Sequence, residues 1–273
     1  SSVLIIAKIL ITFLTVVLLA QVAQRMSPRH AGLLAGFPLG TAIALYFFGW
    51  QQGAEFAAAG AVYTLSGLTS AICLAFGYWL VIRKLPGLRW LPLAVASGFS
   101  CFLASSFLLQ YLPPSPAVSL AVIIAAILLF RTLFKHIPET HIDNSAAPQN
   151  RLSQLLAGKT ATLLFRASIA TASILLITAL ADVLGPSRAG LLAAFPVSFF
   201  PLILILHISH GANVLSCTIK HYPDGIGALA VYALAVIYLY PALGLHIGTA
   251  ASLLCSVAYL LIYGQLRTRL QKS

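Results

Sequence analysis

Ala31-Gly32-Leu33-Leu34-Ala35-Gly36-Phe37-Pro38 returns 158 residues later as Ala189-Gly190-Leu191-Leu192-Ala193-Ala194-Phe195-Pro196. The same offset relates Pro28 to Pro186, Gly53-Ala54 to Gly211-Ala212, Gly67 to Gly225, and the basic Lys8 to the basic Arg166. A register held this far marks a duplicated unit. In membrane proteins such a duplication places a pseudo-twofold axis through the molecule, and in transporters substrate sites lie at the repeat interface near the bilayer midplane.

The chain of 273 residues is 60% apolar and 8% charged, with a mean hydropathy of +0.98. Water-soluble domains carry about 25% charged residues, so the composition specifies an integral membrane protein, and helix-length apolar stretches make an all-α fold the expectation. Nine apolar stretches are each expected to cross a hydrocarbon core of about 30 Å at 1.5 Å per residue. They run approximately over 3–24, 31–49, 57–82, 90–111, 116–134, 160–184, 189–208, 225–240 and 243–265. No period-two alternation runs through them, which disfavours a transmembrane β-barrel. The first stretch reads as a span and not a leader, because it has no small-residue cleavage site and has a counterpart in the second half.

The net charge of +11 follows topology, not nucleic-acid binding. With the N-terminus outside, Arg25, Arg29, Arg83, Lys84, Arg89, Arg131, Lys135, Arg151, Lys159, Lys220, Arg267, Arg269 and Lys272 fall on the cytoplasmic side with the C-terminus, and only Arg188 falls in an outer loop. This is the positive-inside pattern, with contact to anionic membrane lipids as its second consequence. Five spans separate the start of one copy from the start of the next, so the second copy enters from the opposite face. The expected organisation is a four-helix repeat over 1–112, a connecting helix and cytoplasmic loop over 113–158 containing Pro138 and Pro148, and an inverted four-helix repeat over 159–273.

Lys8 in the first span, Ala31-Gly32-Leu33 and Phe37-Pro38 opening the second, and Gly53-Ala54-Glu55 before the third resemble the small four-span GlpM-type proteins of the bacterial inner membrane. Arg166, Ala189-Gly190-Leu191, Phe195-Pro196 and Gly211-Ala212 repeat the pattern, with Arg166 in place of lysine and Asn213 where Glu55 stands. The resemblance covers both four-span units and not the connector. It implies a tandem duplication of such a unit in a bacterial cytoplasmic (inner) membrane, and it implies fold more than activity.

Pro38 and Pro196 sit inside apolar spans, where proline cannot donate to the helix ladder; both helices are expected to kink or break and to expose backbone groups to a polar substrate. Phe37, Pro38, Phe195, Pro196 and Ser198 are therefore candidate substrate-binding residues. Lys8 and Arg166 join them, since a charge inside a span costs up to about 2.5–3.5 kcal/mol and needs a compensating role. Two roles are open: facing the bundle axis to attract an anion, or snorkelling to the headgroups. Glu55 and Asp182 are candidate gating or ion-pair partners of Lys8, and Asp224 of Arg166. His207, His210 and His221 lack a carboxylate or thiolate at ligand spacing, so no metal site is expected. The four cysteines, Cys73, Cys101, Cys217 and Cys255, read as small buried residues without redox spacing. Ser97, Ser100, Ser105 and Ser106 read as small contacts that place the fourth span centrally.

No catalytic residues or cofactor are expected, because no nucleophile elbow, phosphate loop, zinc-protease motif or paired intramembrane carboxylates occur. The leading expectation is a secondary transporter of a small anionic or amphiphilic solute, a lipid-linked phosphate among the candidates, acting by alternating access. The alternative is a non-transporting scaffold that assists an envelope-polymer or lipid enzyme. Membrane lipids and the solute are the expected partners, with self-association to a homo-oligomer left open and no nucleic acid.

Overall fold

The computed structural model describes residues 2–25, 37–141 and 150–273; Pro28, Arg29, positions 31–36 of the first motif copy, and Pro148 lie outside them. Among the described residues the chain is helical without strands. The helices are α1 (Ser2–Arg25), α2 (Leu39–Gln52), α3 (Ala54–Ile82), α4 (Leu91–Leu109, entered through a 3-10 turn at Leu88–Trp90), α5 (Pro116–Phe134), α6 (Arg151–Leu155), α7 (Lys159–Ala193), α8 (Phe199–His210), α9 (Ala212–Gly225), α10 (Gly227–Leu243) and α11 (Leu245–Lys272).

Seven described segments are long and apolar enough to cross a membrane: α1, α3, α4 with its entry turn, α5, α7, α9 with α10, and α11. The chain is a multi-pass membrane protein. Neither of the expected spans 31–49 and 189–208 is one continuous helix over its described residues. In the described part of the first, the helix starts at Leu39, after Phe37-Pro38, and the second is interrupted over 194–198. At 14 residues α2 reaches only about 21 Å, and at 12 residues α8 about 18 Å, so neither crosses by itself. The missing proline N–H is the local cause, and the result is a break instead of a bend.

α7 is also not one rod. Gly185, at φ 79° and ψ 174°, divides it into 159–184 and 186–193, and Pro186 opens the second piece where no intrahelical N–H is required. The helices on either side of two further glycines turn in the same way: Gly53 (φ 98°, ψ 156°) joins α2 to α3, and Gly211 (φ 88°, ψ 176°) joins α8 to α9. These two glycines are 158 positions apart, so the sequence offset carries a backbone conformation with it. That region of φ/ψ is essentially restricted to glycine. A Cβ at either position would meet no atom within 4 Å, which leaves backbone strain as the sole cost. Gly53→Ala and Gly211→Ala are each expected to destabilise the protein by about 1–3 kcal/mol, read as a fall in melting temperature in detergent; wild-type melting of both would refute the assigned turns.

α3 is the most deeply buried span and α1 and α11 the least. α3 packs on α2, α4, α5, α7, α9 and α10, while α1 lies along α7 and α11 along α10. The contacts α1–α7 and α3–α10 each pair a helix with its counterpart at the 158-residue offset. One apolar core joins α3, α4, α5, α8 and α9. A second joins α2, α7 and α10. Leu192 and Phe195 touch both cores, so the broken segment lies between them.

The central placement expected for the fourth span does not hold. Ser97 donates to the Gly77 carbonyl at 2.7 Å, Ser105 to Ser70 at 2.9 Å, and Gly98 lies against the Leu74 backbone, so the small residues do seat α4 closely on α3. Its other face, with Leu103 59%, Phe107 61% and Leu108 69% exposed, is turned outward. A stripe of small residues specified one tight contact and not a central position.

Candidate functional site

The two Phe-Pro breaks meet. A Cβ on Gly40, in the first turn of α2, would lie 2.5 Å from the Val197 Cβ, so only glycine permits this approach. Beside it the Thr41 hydroxyl donates to the Ala193 carbonyl at 3.1 Å, satisfying one of the carbonyls left free where the 186–193 helix stops. Start of α2 and end of 186–193 are thus tied across the molecule.

Beside this junction lies a half-enclosed cavity of about 1560 Å³. Phe37, Leu39, Gly40 and Thr41 line it from the first break, and Ala194, Phe195, Pro196, Val197, Ser198 and Phe199 from the second. The N-termini of α2 and α8 therefore both reach its wall. Neither has a side-chain cap or an acidic residue in its first turn, so no carboxylate or side-chain cap offsets the partial positive charge of either helix end.

Arg166 lines the same cavity and is half-buried. The only ion pairs among the described residues join Arg131 to Asp224, Lys220 to Glu139 and His221 to Glu139, so Arg166 has no acidic partner among them. Arg131 and Arg267 add positive charge to the lining. Against them stands Asp224, which accepts from Arg131 Nε at 3.0 Å. The pairing expected between Asp224 and Arg166 is therefore replaced by one with Arg131. Phe199 and Tyr222, stacked with ring centroids 3.8 Å apart, give the wall an apolar sector, and Phe195 rests in an aromatic cluster with Phe99, Phe102 and Phe200.

Of the residues singled out from sequence, Phe37, Phe195, Pro196, Ser198, Arg166 and Asp224 share this cavity, whereas Lys8, Pro38, Glu55 and Asp182 do not. Lys8 is 4% exposed, so it packs inside the bundle and does not snorkel; Asp182 is the acid whose field reaches it. Asp182 lines a separate small cavity with Val3, Leu4, Trp50 and Gln51. Glu55 is exposed at the start of α3 and makes none of the ion pairs above.

His207 is a core residue. Its Nε2 lies 3.1 Å from the Pro86 carbonyl, which can only accept, so Nε2 donates there, and Nδ1 lies 2.6 Å from the Tyr78 hydroxyl. His221 has a different setting. Glu139, in the segment after α5, sits within hydrogen-bond reach of His221, Lys220 and Cys217 at the edge of the cavity. Hydrogen bonds from His221, Lys220 and Cys217 hold its carboxyl down at a pKa of about 2. Cys217 and His221 line the cavity together with Thr140 and His141. Sequence reading missed Glu139 because nothing local connects it to residues about eighty positions away; the spacing of Cys217 and His221, one helical turn apart, was the visible half of the signal.

No protein-family profile, curated protein or solved structure matches the chain.

Proposed function

We propose that this protein is a secondary transporter of the bacterial cytoplasmic membrane for a small anionic or amphiphilic solute, a lipid-linked phosphate among the candidates. The working parts are two inverted four-helix repeats, residues 1–112 and 159–273, joined by 113–158. Counting each Phe-Pro segment with the helix that follows it as one broken crossing restores nine passes, with the N-terminus outside and the C-terminus cytoplasmic. The four-span GlpM-type pattern is the unit duplicated.

The observation that carries this reading is the cavity bounded by both breaks, with Arg166 on its wall and no acidic partner for it among the described residues. Two uncapped half-helix N-termini add to that positive field, an arrangement transporters use to hold anionic groups near the midplane. The stacked Phe199 and Tyr222 suit the apolar part of an amphiphile. Under the proposed positive-inside orientation, the part of the cavity lined by Arg131 and Arg267 faces the cytoplasm.

Two measurements test the reading. In a background lacking the four native cysteines, Gln52→Cys and His210→Cys, equivalent positions beside Gly53 and Gly211, are expected to react with impermeant reagents from opposite sides of the membrane. Labelling of both from one side removes the inverted arrangement. In proteoliposomes, saturable uptake of a short-chain prenyl phosphate or a simple organic anion is expected. Uptake equal to that of protein-free vesicles for both classes removes the transporter.

A further inference from the structure

The cluster at the cavity edge has a chemistry that anion transport does not use. Cys217 and His221 occupy one face of α9 a turn apart, and Glu139 reaches them from the segment after α5. We infer that Glu139, Cys217 and His221 form a binding site for a borderline-soft divalent metal ion, zinc above all, with three protein ligands and an open fourth position facing the cavity. The inference stands independently of the transport reading.

The donor set comes first. A thiolate, an imidazole and a carboxylate together match zinc and its neighbours in the first transition row, and do not match magnesium or calcium, which take oxygen. Geometry comes next. The candidate ligand atoms all lie within 4.8 Å of one another, with Cys217 Sγ 3.2 Å from Glu139 Oε2 and His221 Nε2 3.1 Å from that same oxygen. Bonds of about 2.0–2.3 Å to a tetrahedral ion set ligand atoms roughly 3.3–3.7 Å apart. The two pairs that share Oε2 therefore need to spread by only a few tenths of an ångström to admit the ion, and the Cys217–His221 pair lies within 4.8 Å.

The surroundings fit as well. Lys220 Nζ donates to Glu139 Oε1 at 3.0 Å and to the Ile137 carbonyl at 2.8 Å, which fixes one carboxylate oxygen and leaves Oε2 turned to the sulfur. The Thr140 N–H lies 3.5 Å from Sγ, where it supports a thiolate. Such outer contacts orient metal ligands. Cys217 is buried while Glu139 and His221 are exposed, so the ion enters from the aqueous side and the sulfur closes the inner position. On binding, the Cys217 S–H proton leaves to water as the S–metal bond forms, and the two anionic ligands then balance the 2+ charge. His141 and Thr218 line the cavity beyond, and water takes the fourth position.

The test uses the full chain in detergent micelles, stripped with chelator and titrated with Zn²⁺ alone and separately with Co²⁺. About one tightly held zinc per chain after desalting is expected, together with the near-ultraviolet thiolate-to-cobalt absorption. Cys217→Ser is expected to abolish that absorption, and Cys217→Ser, His221→Ala and Glu139→Gln each to weaken zinc by at least about tenfold, the scale of losing even an outer-sphere partner. Cys255→Ser, at an exposed cysteine on α11, retains both signals. Circular dichroism and elution volume establish that each variant is folded; Glu139, at the surface, is the variant least able to disturb folding. Absence of stoichiometric zinc, a cobalt spectrum without the thiolate band, or zinc affinity unchanged in folded Cys217→Ser overturns the site.

Discussion

Gly190→Ala is expected to be the most destructive addition of a methyl group among the described glycines whose surroundings are known, costing about 3 kcal/mol or more, at or beyond the upper end of ordinary overpacking. The 186–193 helix crosses α3 backbone to backbone at this point. A Cβ on Gly190 would overlap the Gly60 carbonyl oxygen and lie 2.6 Å from the Gly60 carbonyl carbon and 2.8 Å from its Cα. Backbone atoms cannot rotate aside as a side chain does, so the two helices must separate. That separation also breaks the hydrogen bond from the Thr64 hydroxyl to the Gly190 carbonyl, 2.7 Å long, at a further cost of about 1 kcal/mol. The reciprocal change is milder, because a Cβ on Gly60 meets the Pro186 carbonyl oxygen at 3.1 Å. Gly225→Ala, where no atom lies within 4 Å, is expected to be neutral or slightly stabilising through helix propensity. In thermal melts in detergent, Gly190→Ala should fall by roughly 10 °C or more, taking about 2–4 °C per kcal/mol for a chain of this size class. A melting temperature within about 2 °C of wild type would remove the close crossing.

What could be read in advance divides by the range of the interaction responsible. The breaks at Phe37-Pro38 and Phe195-Pro196 were legible because proline acts on its own turn. Gly53 and Gly211 were legible as a matched pair, while the positive-φ turn they share came only with the backbone. The identity of partners was not legible. Asp224 faces Arg131 from another helix, and no local pattern distinguishes that arginine from Arg166. Glu139 was invisible for the same reason. Residue size in α4 signalled close approach but not which side of the contact faces lipid, since Leu103 and Phe107 are apolar whether they meet lipid or core. Lys8 shows the same limit from the other direction. Its position 158 residues before Arg166 suggested a matched pair at one site, yet the two cations have separate neighbours: Arg166 lines the large cavity, and Lys8 is packed within the bundle.

That divergence gives the second large effect. Arg166→Ala is expected to lower uptake of an anionic solute by about 10–100-fold, because a hydrogen bond to a charged group contributes about 1.5–3 kcal/mol and each 1.4 kcal/mol is tenfold in affinity. Arg166→Lys should fall between the two, keeping the charge while losing the planar fork that grips two oxygens of a phosphate or carboxylate at once. Lys8→Met is expected to keep the solute affinity, since its side chain does not reach the cavity, and to register in thermal stability instead. The loss in Arg166→Ala should appear as a raised half-saturation concentration at unchanged protein orientation in the vesicles, and should be largest at low ionic strength, where the field of Arg131, Arg166 and Arg267 is least screened. The reverse ranking, with Lys8→Met crippling uptake and Arg166→Ala leaving it intact, would move the solute path to the small cavity at Asp182, where α1, α2 and α7 meet. Equal and negligible effects of both would separate the cavity from anion recognition altogether, because among the described residues no other half-buried arginine or lysine on its wall stands without an acid.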